Sequence, residues 1–284
     1  MPEIRPLTTA EYGAVAAISA EAMAEGLVGL PTWETPEDVA RTVRATPHGE
    51  FIVAVDDDGH VIGVTGYDLR AGGEAWIYGP LVKTRGLGTG AWLTSKIESM
   101  ALHQGARFYA MLIGLKNKAG QAWAEWRGYQ LDSEYPETLL LFASPGELPA
   151  ARPAAEARVR RAEARDLDRI YELFTANFPP ESVTAQAWQG WLDQSHVIEV
   201  EGRVVGFVRI DEQGFLHHLC IEASHRRRGL GRQLLAGALS ASGSQSPVRA
   251  GAAVRLDNTA AVELLRSLGF TREIPVAKWV RRGG

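Results

Sequence analysis

The chain has 284 residues, 45% hydrophobic and 23% charged, which suits a folded globular protein with room for two domains of ordinary size. A net charge of −4 supplies no general basic field for nucleic acid or anionic lipid. The single cysteine, Cys220, excludes an intrachain disulfide and a cysteine metal cluster.

One cysteine also suits a reducing compartment. Met1–Arg5 lacks the basic-then-apolar pattern of a signal peptide, and no apolar run approaches the length of a membrane span, so a cytoplasmic protein is expected.

In chain order, Ile4-Arg5-Pro6-Leu7 predicts a short strand, followed by a helical pattern around Ile18. Phe51–Val55 turns at Asp58-Gly59 into Val61–Val64, a strong hairpin signal. Trp76–Val82 predicts a third strand, which runs into Arg85-Gly86-Leu87-Gly88-Thr89-Gly90. That turn opens a helix with Leu93, Ile97, Met100 and Ala101 on one face. A further helix follows Asn117 and ends near Tyr129. Ser144–Ala157 reads SPGELPAARPAAEA, a linker kept extended by Pro145, Pro149 and Pro153.

The order then repeats. Val159–Ala162 is the opening strand, Ile170, Leu173 and Phe174 mark a helix, and Val197–Val200 turns at Glu201-Gly202 into Val204–Phe207. Phe215–Ile221 runs into Arg226-Arg227-Arg228-Gly229-Leu230-Gly231, which opens a helix carrying Leu230, Leu234 and Ala238. Arg85 and Arg226 stand 141 positions apart, as do Asn117 and Asn258. An unchanged offset over this stretch predicts duplicated domains: a lobe over 1–143, a linker over 144–157 and a lobe over 158–284. Each lobe is expected to be α+β, a mixed, mostly antiparallel sheet flanked by helices.

A strand, a basic glycine-containing turn and a helix start make an anion site. The first helical turn has unpaired N–H groups, its dipole favours negative charge, and glycine lets a phosphate approach the backbone. The Walker pattern GxxxxGK[ST] and the dinucleotide pattern GxGxxG are both absent. The turns fit [R/Q]xxGx[G/A] instead, as Arg226-x-x-Gly229-x-Gly231 and Arg85-x-x-Gly88-x-Gly90.

In these turns, and in Asn258-Thr259-Ala260-Ala261 with Leu268-Gly269-Phe270, the chain resembles the GNAT (Gcn5-related N-acetyltransferase) superfamily over nearly all of both lobes. The resemblance implies that Arg226, Arg227, Arg228, Gly229, Leu230, Gly231 and Arg232 hold the diphosphate of acetyl-CoA, as do Arg85, Gly86, Gly88, Thr89 and Gly90 in the first lobe. It implies that the sheet splays before the loop, that backbone groups of Leu219, Cys220 and Ile221 bond the pantetheine, and that an N–H of this strand steadies the oxyanion. Asn117 and Asn258 either order the pantetheine or a water, or cap their helices. Transfer is direct, and no metal is implied.

His217 lies four residues before Ile221. Strand alternation puts Phe215, His217, Leu219 and Ile221 on one face. The segment resembles the Leu-His-x-Leu-x-Val strand of the arylalkylamine N-acetyltransferase branch, which implies that His217 relays the amine proton. Otherwise His217 is a packed core histidine; His218, on the other face, reads as structural. Tyr78 takes the equivalent place in the first lobe and is a poor base at neutral pH. The tyrosine that many members carry seven residues after the Asn is replaced by Leu265 and Ala124. The acid therefore lies elsewhere, or water serves, or the lobe binds without catalysing. Val82 sits three residues before Arg85, whereas Ile221 sits five before Arg226, so the first lobe's loop is expected to shift. Acceptor contacts are sought at Phe178, Glu181, Trp188, Trp191 and Asp193, and at Met23 and Trp33.

The expected function is acetyl transfer from acetyl-CoA to the primary amine of a small molecule. The second lobe is the catalyst, in a monomer or homodimer with no nucleic-acid or membrane partner. The alternatives are a non-catalytic acyl-CoA-binding sensor and an acetylase of protein or peptide amines.

Overall fold

The computed structural model describes residues 2–25, 33–70, 72–143, 157–178, 185–211, 214–242 and 250–283. The first half contains β1 (Glu3–Pro6), α1 (Tyr12–Ala24), α2 (Pro36–Ala45), β2 (Gly49–Val55), β3 (Val61–Arg70), β4 (Glu74–Val82), α3 (Thr89–His103), β5 (Phe108–Gly114), α4 (Lys118–Trp126), β6 (Gln130–Leu131) and β7 (Thr138–Ala143). The second contains β8 (Ala157–Arg161), α5 (Leu167–Asn177), α6 (Ala185–Trp191), β9 (Ser195–Val200), β10 (Arg203–Ile210), β11 (Phe215–Ile221), α7 (Leu230–Ser242), β12 (Ala250–Arg255), α8 (Thr259–Ser267) and β13 (Arg272–Arg282).

Local chemistry explains several boundaries. Glu201 and Gly202 both have positive φ, 52° and 76°, as a two-residue hairpin turn requires. Asn117 and Asn258 cap α4 and α8, accepting from Gly120 N at 2.8 Å and Ala261 N at 3.2 Å. No described helix is long and apolar enough to cross a membrane.

The chain forms two compact units, Met1–Thr138 with Ile274–Gly284, and Leu139–Glu273. This differs from the division at 143 and 158 expected from the repeat, because the last strand of each half belongs to the other unit. In the first unit the strand order is β1-β2-β3-β4-β5-β13, with β6 against β13; in the second it is β7-β12-β11-β10-β9-β8.

The reason lies in what each strand brings. Strand β13 pairs antiparallel with β5 from Val276↔Gly114 to Arg282↔Phe108. Its Lys278 Nζ lies 2.8 Å from Glu74 Oε1, and its Arg281 Nη2 lies 2.6 Å from Glu98 Oε2. Buried Glu98 also accepts from Arg127 Nη2 at 2.6 Å and Tyr129 O–H at 2.6 Å. Strand β7 carries no charge and buries Leu139, Leu141 and Ala143 in the second unit's core. Of the expected linker, 144–156 lies outside the described residues, and Ala157 opens β8.

Both sheets have helices on both faces. In the first unit Leu93, Ile97 and Ala101 of α3 pack on one face, and Val15, Ile18 and Val39 of α1 and α2 on the other. In the second, α7 and α8 cover one face through Leu234, Leu235, Val262 and Leu265, and α5 and α6 the other through Ile170, Phe174 and Trp188. The mixed, mostly antiparallel sheet expected from the sequence is present in each unit. Among the described pairings, parallel ones are confined to Glu74↔Phe108 through Trp76↔Ala110 between β4 and β5, and to Phe215↔Gly251 and Leu216↔Ala252 between β11 and β12. Beyond those rungs the strands part, and each sheet opens a V-shaped gap.

Candidate active site

Each gap is flanked at its wide end by a glycine turn. Gly86 and Gly88 have φ of 83° and 76°; Arg227 and Gly229, at the same offset, have 64° and 78°. The two loops thus share one alternation of left-handed residues at the start of α3 or α7, the backbone form of a nest, in which successive N–H groups can converge on an anion. A Cβ built on Gly86, Gly88 or Gly229 meets nothing within 4 Å, so space lies open in front of the backbone. These residues fit a diphosphate. Gly90 and Gly231 differ: a Cβ there stands 3.4 Å from Pro80 or 3.5 Å from Leu264, so these glycines also serve helix packing. Thr89 and Leu230 are buried, whereas Arg227, Arg228 and Arg232 are exposed.

The arginine that opens each loop reaches the end of its unit's first helix. Arg85 pairs with Glu25, which caps α1. Arg226 donates from Nη2 to Asn177 Oδ1 at 2.5 Å, at the last residue of α5, and from Nε to Ile221 O at 3.0 Å. Glu25 and Asn177 carried no sequence signal, since their partners stand 60 and 49 positions away. The pairs Gly63↔Val82 and Gly206↔Ile221 confirm that Val82 and Ile221 are equivalent, so the first unit's loop is indeed two residues shorter.

The expected alternation along β11 is broken. The register with β10 shifts so that His218 and Leu216 oppose the consecutive residues Arg209 and Ile210, which leaves His217 as the extra residue of a bulge. An extra residue resets the two-residue period. Leu216 therefore joins Leu219 and Ile221 on the α7–α8 side, and His217 stands exposed where parallel pairing ends, at the apex of the gap. Its Nε2 lies 2.8 Å from Asp211 Oδ2, and Phe215 N–H donates to Asp211 Oδ1 at 2.9 Å. An imidazole that donates Nε2–H to Asp211 carries its lone pair on Nδ1. The available signal for Asp211 was its place six residues before His217, across a tight turn closed at Gly214.

His218, which the sequence reads as structural, packs among aromatic rings. Its ring centroid lies 5.1 Å from Phe174, 5.0 Å from Phe178 and 5.9 Å from Trp191. Burial, then Arg209 and His217, push its pKa down to about 4. Cys220 Sγ is buried 3.8 Å from Leu173 O, and burial pushes the thiol up to about 12, so it is no nucleophile at neutral pH. Glu222 is held by Arg169 at 2.7 Å and Arg203 at 2.8 Å; the hydrogen bond from Arg169 is the chief cause lowering its pKa, which makes it a weak base. Met23, Trp33 and Trp188 are buried in the cores, Trp191 and Phe178 lie against His218, Asp193 is exposed, and Glu181 lies outside the described residues.

The first unit's gap opens as a cleft of about 440 Å³. Leu81 and Val82 of β4 form one wall and Met111–Ile113 of β5 the other, with the nest, Asn117 and one face of α4 around them. Tyr78 stacks on Phe51 at 5.7 Å, and burial, then Asp68, pushes its phenol up to about 12. Ala124 and Leu265 are buried in the helix-side cores, at 0% and 1% exposure, so neither position offers a side chain to its gap.

Residues 165–270 match the family model described as the Acetyltransferase (GNAT) family. No curated protein sequence matches the chain. A GCN5-related N-acetyltransferase from Sphaerobacter thermophilus shares the fold with a TM-score of 0.72 at 18% identity, over 99% of this chain and 95% of that one. A tandem GNAT protein from the clavulanic acid biosynthesis pathway aligns with a TM-score of 0.65 at 16% identity, over 100% of this chain and 99% of that one. A putative acetyltransferase from Pyrococcus horikoshii gives 0.61 at 12% identity, over 100% and 90%. The second half of the chain thus matches the GNAT acetyltransferase family over residues 165–270, and the chain as a whole shares its fold with a GCN5-related N-acetyltransferase and with a tandem GNAT protein.

Proposed function

We propose that the second unit transfers an acetyl group from acetyl-CoA to the primary amine of a small molecule in the cytoplasm, with His217 taking up the amine proton. The observation that carries this reading is the position of His217 at the apex of the gap, oriented by Asp211 at 2.8 Å, on the strand that leads to the nest. The nest from Arg226 to Gly231 would hold the diphosphate, with Arg232 adding charge. Backbone groups of Leu219, Cys220 and Ile221 would hold the pantetheine along the gap, and Asn258 stands at the start of the facing helix.

An alkyl amine is mostly protonated at neutral pH and must lose a proton to attack. The amine nitrogen bonds the thioester carbonyl carbon, the C–S bond breaks, and the proton passes to His217 Nδ1. The leaving thiolate takes its proton from water, since Leu265 offers none. A buried thiol pushed up to about 12 at Cys220 supports direct transfer over an acyl-enzyme. A screen of small amines, read by release of free thiol from acetyl-CoA, tests the reading; it fails if no amine in the screen is turned over or if His217→Ala leaves turnover unchanged.

A second reading applies to the first unit, as a site that binds acyl-CoA without catalysing. Its observation is Tyr78, at the place of His217, with a phenol pushed up to about 12 and so unable to accept a proton at neutral pH.

A further inference from the structure

We propose that Trp126 and Leu87 form a stacking platform for the purine base of coenzyme A, peculiar to the first unit. The proposal rests on the reading that the first unit's nest takes the diphosphate of coenzyme A.

Large apolar side chains are rarely left in water without cause when they gather at the mouth of a cleft. Trp126 and Leu87 are each 72% exposed, the most exposed large hydrophobic side chains described, and both line the 440 Å³ cleft. Leu87 stands between Gly86 and Gly88, both left-handed, so the nest itself holds it. Trp126 ends α4. Ala119, Gly120, Trp123 and Trp126 all line the cleft, and their spacing of three and four residues makes them one face of that helix.

This face starts beside Asn117 with small residues and ends in two indoles about 10 Å further along, at 1.5 Å per residue. The small end leaves width for an acyl-bearing arm. The indole end lines the same cleft as Arg85, Gly86 and Leu87 of the nest, so a group on the far side of a bound diphosphate would emerge towards it. In coenzyme A that group is an adenosine, and a base stacks on an aromatic face whatever its hydrogen-bonding edge.

The second unit supplies a control within the same chain. At the 141-residue offset, Leu87, Trp123 and Trp126 correspond to Arg228, Leu264 and Ser267. Ser267 Oγ is spent on Leu264 O at 2.7 Å. That loop carries charge where the first unit carries apolar surface, so it should grip phosphate and leave the base in water.

The test uses the full chain labelled with 5-fluorotryptophan, with Trp123→Phe and Trp126→Phe to assign two fluorine resonances. Coenzyme A and 4′-phosphopantetheine, which lacks the adenosine, are titrated separately. The expected result is a shift of the Trp126 resonance with coenzyme A and none with phosphopantetheine. Trp126→Ala should weaken coenzyme A binding at this site roughly tenfold, within the range for losing one base stack, and leave phosphopantetheine binding unchanged. A coenzyme A titration that moves Trp123 but not Trp126 overturns the platform and keeps the site. One that moves neither overturns the occupancy of the first unit, and the platform with it.

Discussion

Nε2 of His217 and Oδ2 of Asp211 lie 2.8 Å apart across a turn whose own backbone, through Phe215 N–H, holds the other carboxylate oxygen at 2.9 Å. The bulge frees His217 from the core, and the aspartate fixes its ring. Loss of a general base costs about 10²–10⁴-fold, so His217→Ala should lower kcat/KM by that range while coenzyme A affinity stays unchanged. Asp211→Asn should lower kcat/KM by less, since the ring remains but is held worse. Tyr78→Phe should leave the rate alone. Full activity in His217→Ala would show that the histidine is structural and that water must accept the proton, since Glu222 is occupied by two arginines.

Arg227 offers a check on the nest. Its φ of 64° places a side-chain-bearing residue where the first unit has Gly86 at 83°. Left-handed backbone costs such a residue about 1–2 kcal/mol. Glycine adds about 0.4–1 kcal/mol of unfolded-chain entropy to the other side. Arg227→Gly should therefore raise stability by roughly 0.5–1 kcal/mol in denaturant unfolding. A midpoint that falls would mean that the arginine side chain holds the loop by more than its strain. Gly229→Val should do the reverse and also place a side chain in the space open to phosphate. Its loss of coenzyme A binding in calorimetry, beyond its loss of stability, would separate the two effects.

Acid should weaken the second unit through His218. Its folded pKa, about 4, lies below the ordinary histidine value, so the unfolded chain binds the proton more readily. Stability is therefore full above about pH 6.5 and falls as pH drops towards 4. The whole shift is worth at most about 3 kcal/mol at 1.36 kcal/mol per unit, and less for a half-buried ring partly screened by water. His196, whose pKa is lowered by burial and then by Arg161, acts in the same direction. Unfolding free energies at pH 7 and pH 4.5 should differ less in His218→Phe than in the parent chain; an equal difference would place the acid sensitivity elsewhere.

Much of the candidate site's local geometry was legible in the chain because it is set by neighbouring residues. A glycine turn, a helix start and an Asn cap are each set within six residues, and the 141-residue offset showed them twice. What could not be read is non-local. The bulge at His217 depends on how β10 pairs, and Asn177 and Glu25 meet their arginines only after folding. The exchange of last strands is the extreme case. Leu139–Ala143 and Ile274–Val280 follow equivalent Gly-aromatic helix ends, Gly128-Tyr129 and Gly269-Phe270, and both read as apolar strands. Local pattern cannot say which sheet each will join; the charges Lys278 and Arg281 decide it, because Glu74 and Glu98 wait in the first unit.

That exchange changes what a proteolytic cut can do. A fragment covering 158–284 contains the lobe as the repeat defines it, yet it lacks Leu139 and Leu141, which are 4% and 0% exposed in the second unit's core. Two buried leucines are worth about 1.5–3 kcal/mol each in area removed from water. A domain holds only about 5–15 kcal/mol in all. The same fragment carries β13, whose Trp279, Lys278 and Arg281 have side-chain partners in 1–138. Residues 158–284 alone should therefore be poorly folded, whereas 139–273 should give a cooperative thermal transition by circular dichroism. Glu98→Leu should destabilise the first unit by about 3–5 kcal/mol, the range for breaking a buried ion pair, because it strands Arg127 and Arg281. A chain cleaved between 144 and 157 should still purify as one species, since each unit needs a strand from the other half. Equal, cooperative melts for 158–284 and 139–273 would show that the strand is dispensable and that the boundary lies where the repeat puts it.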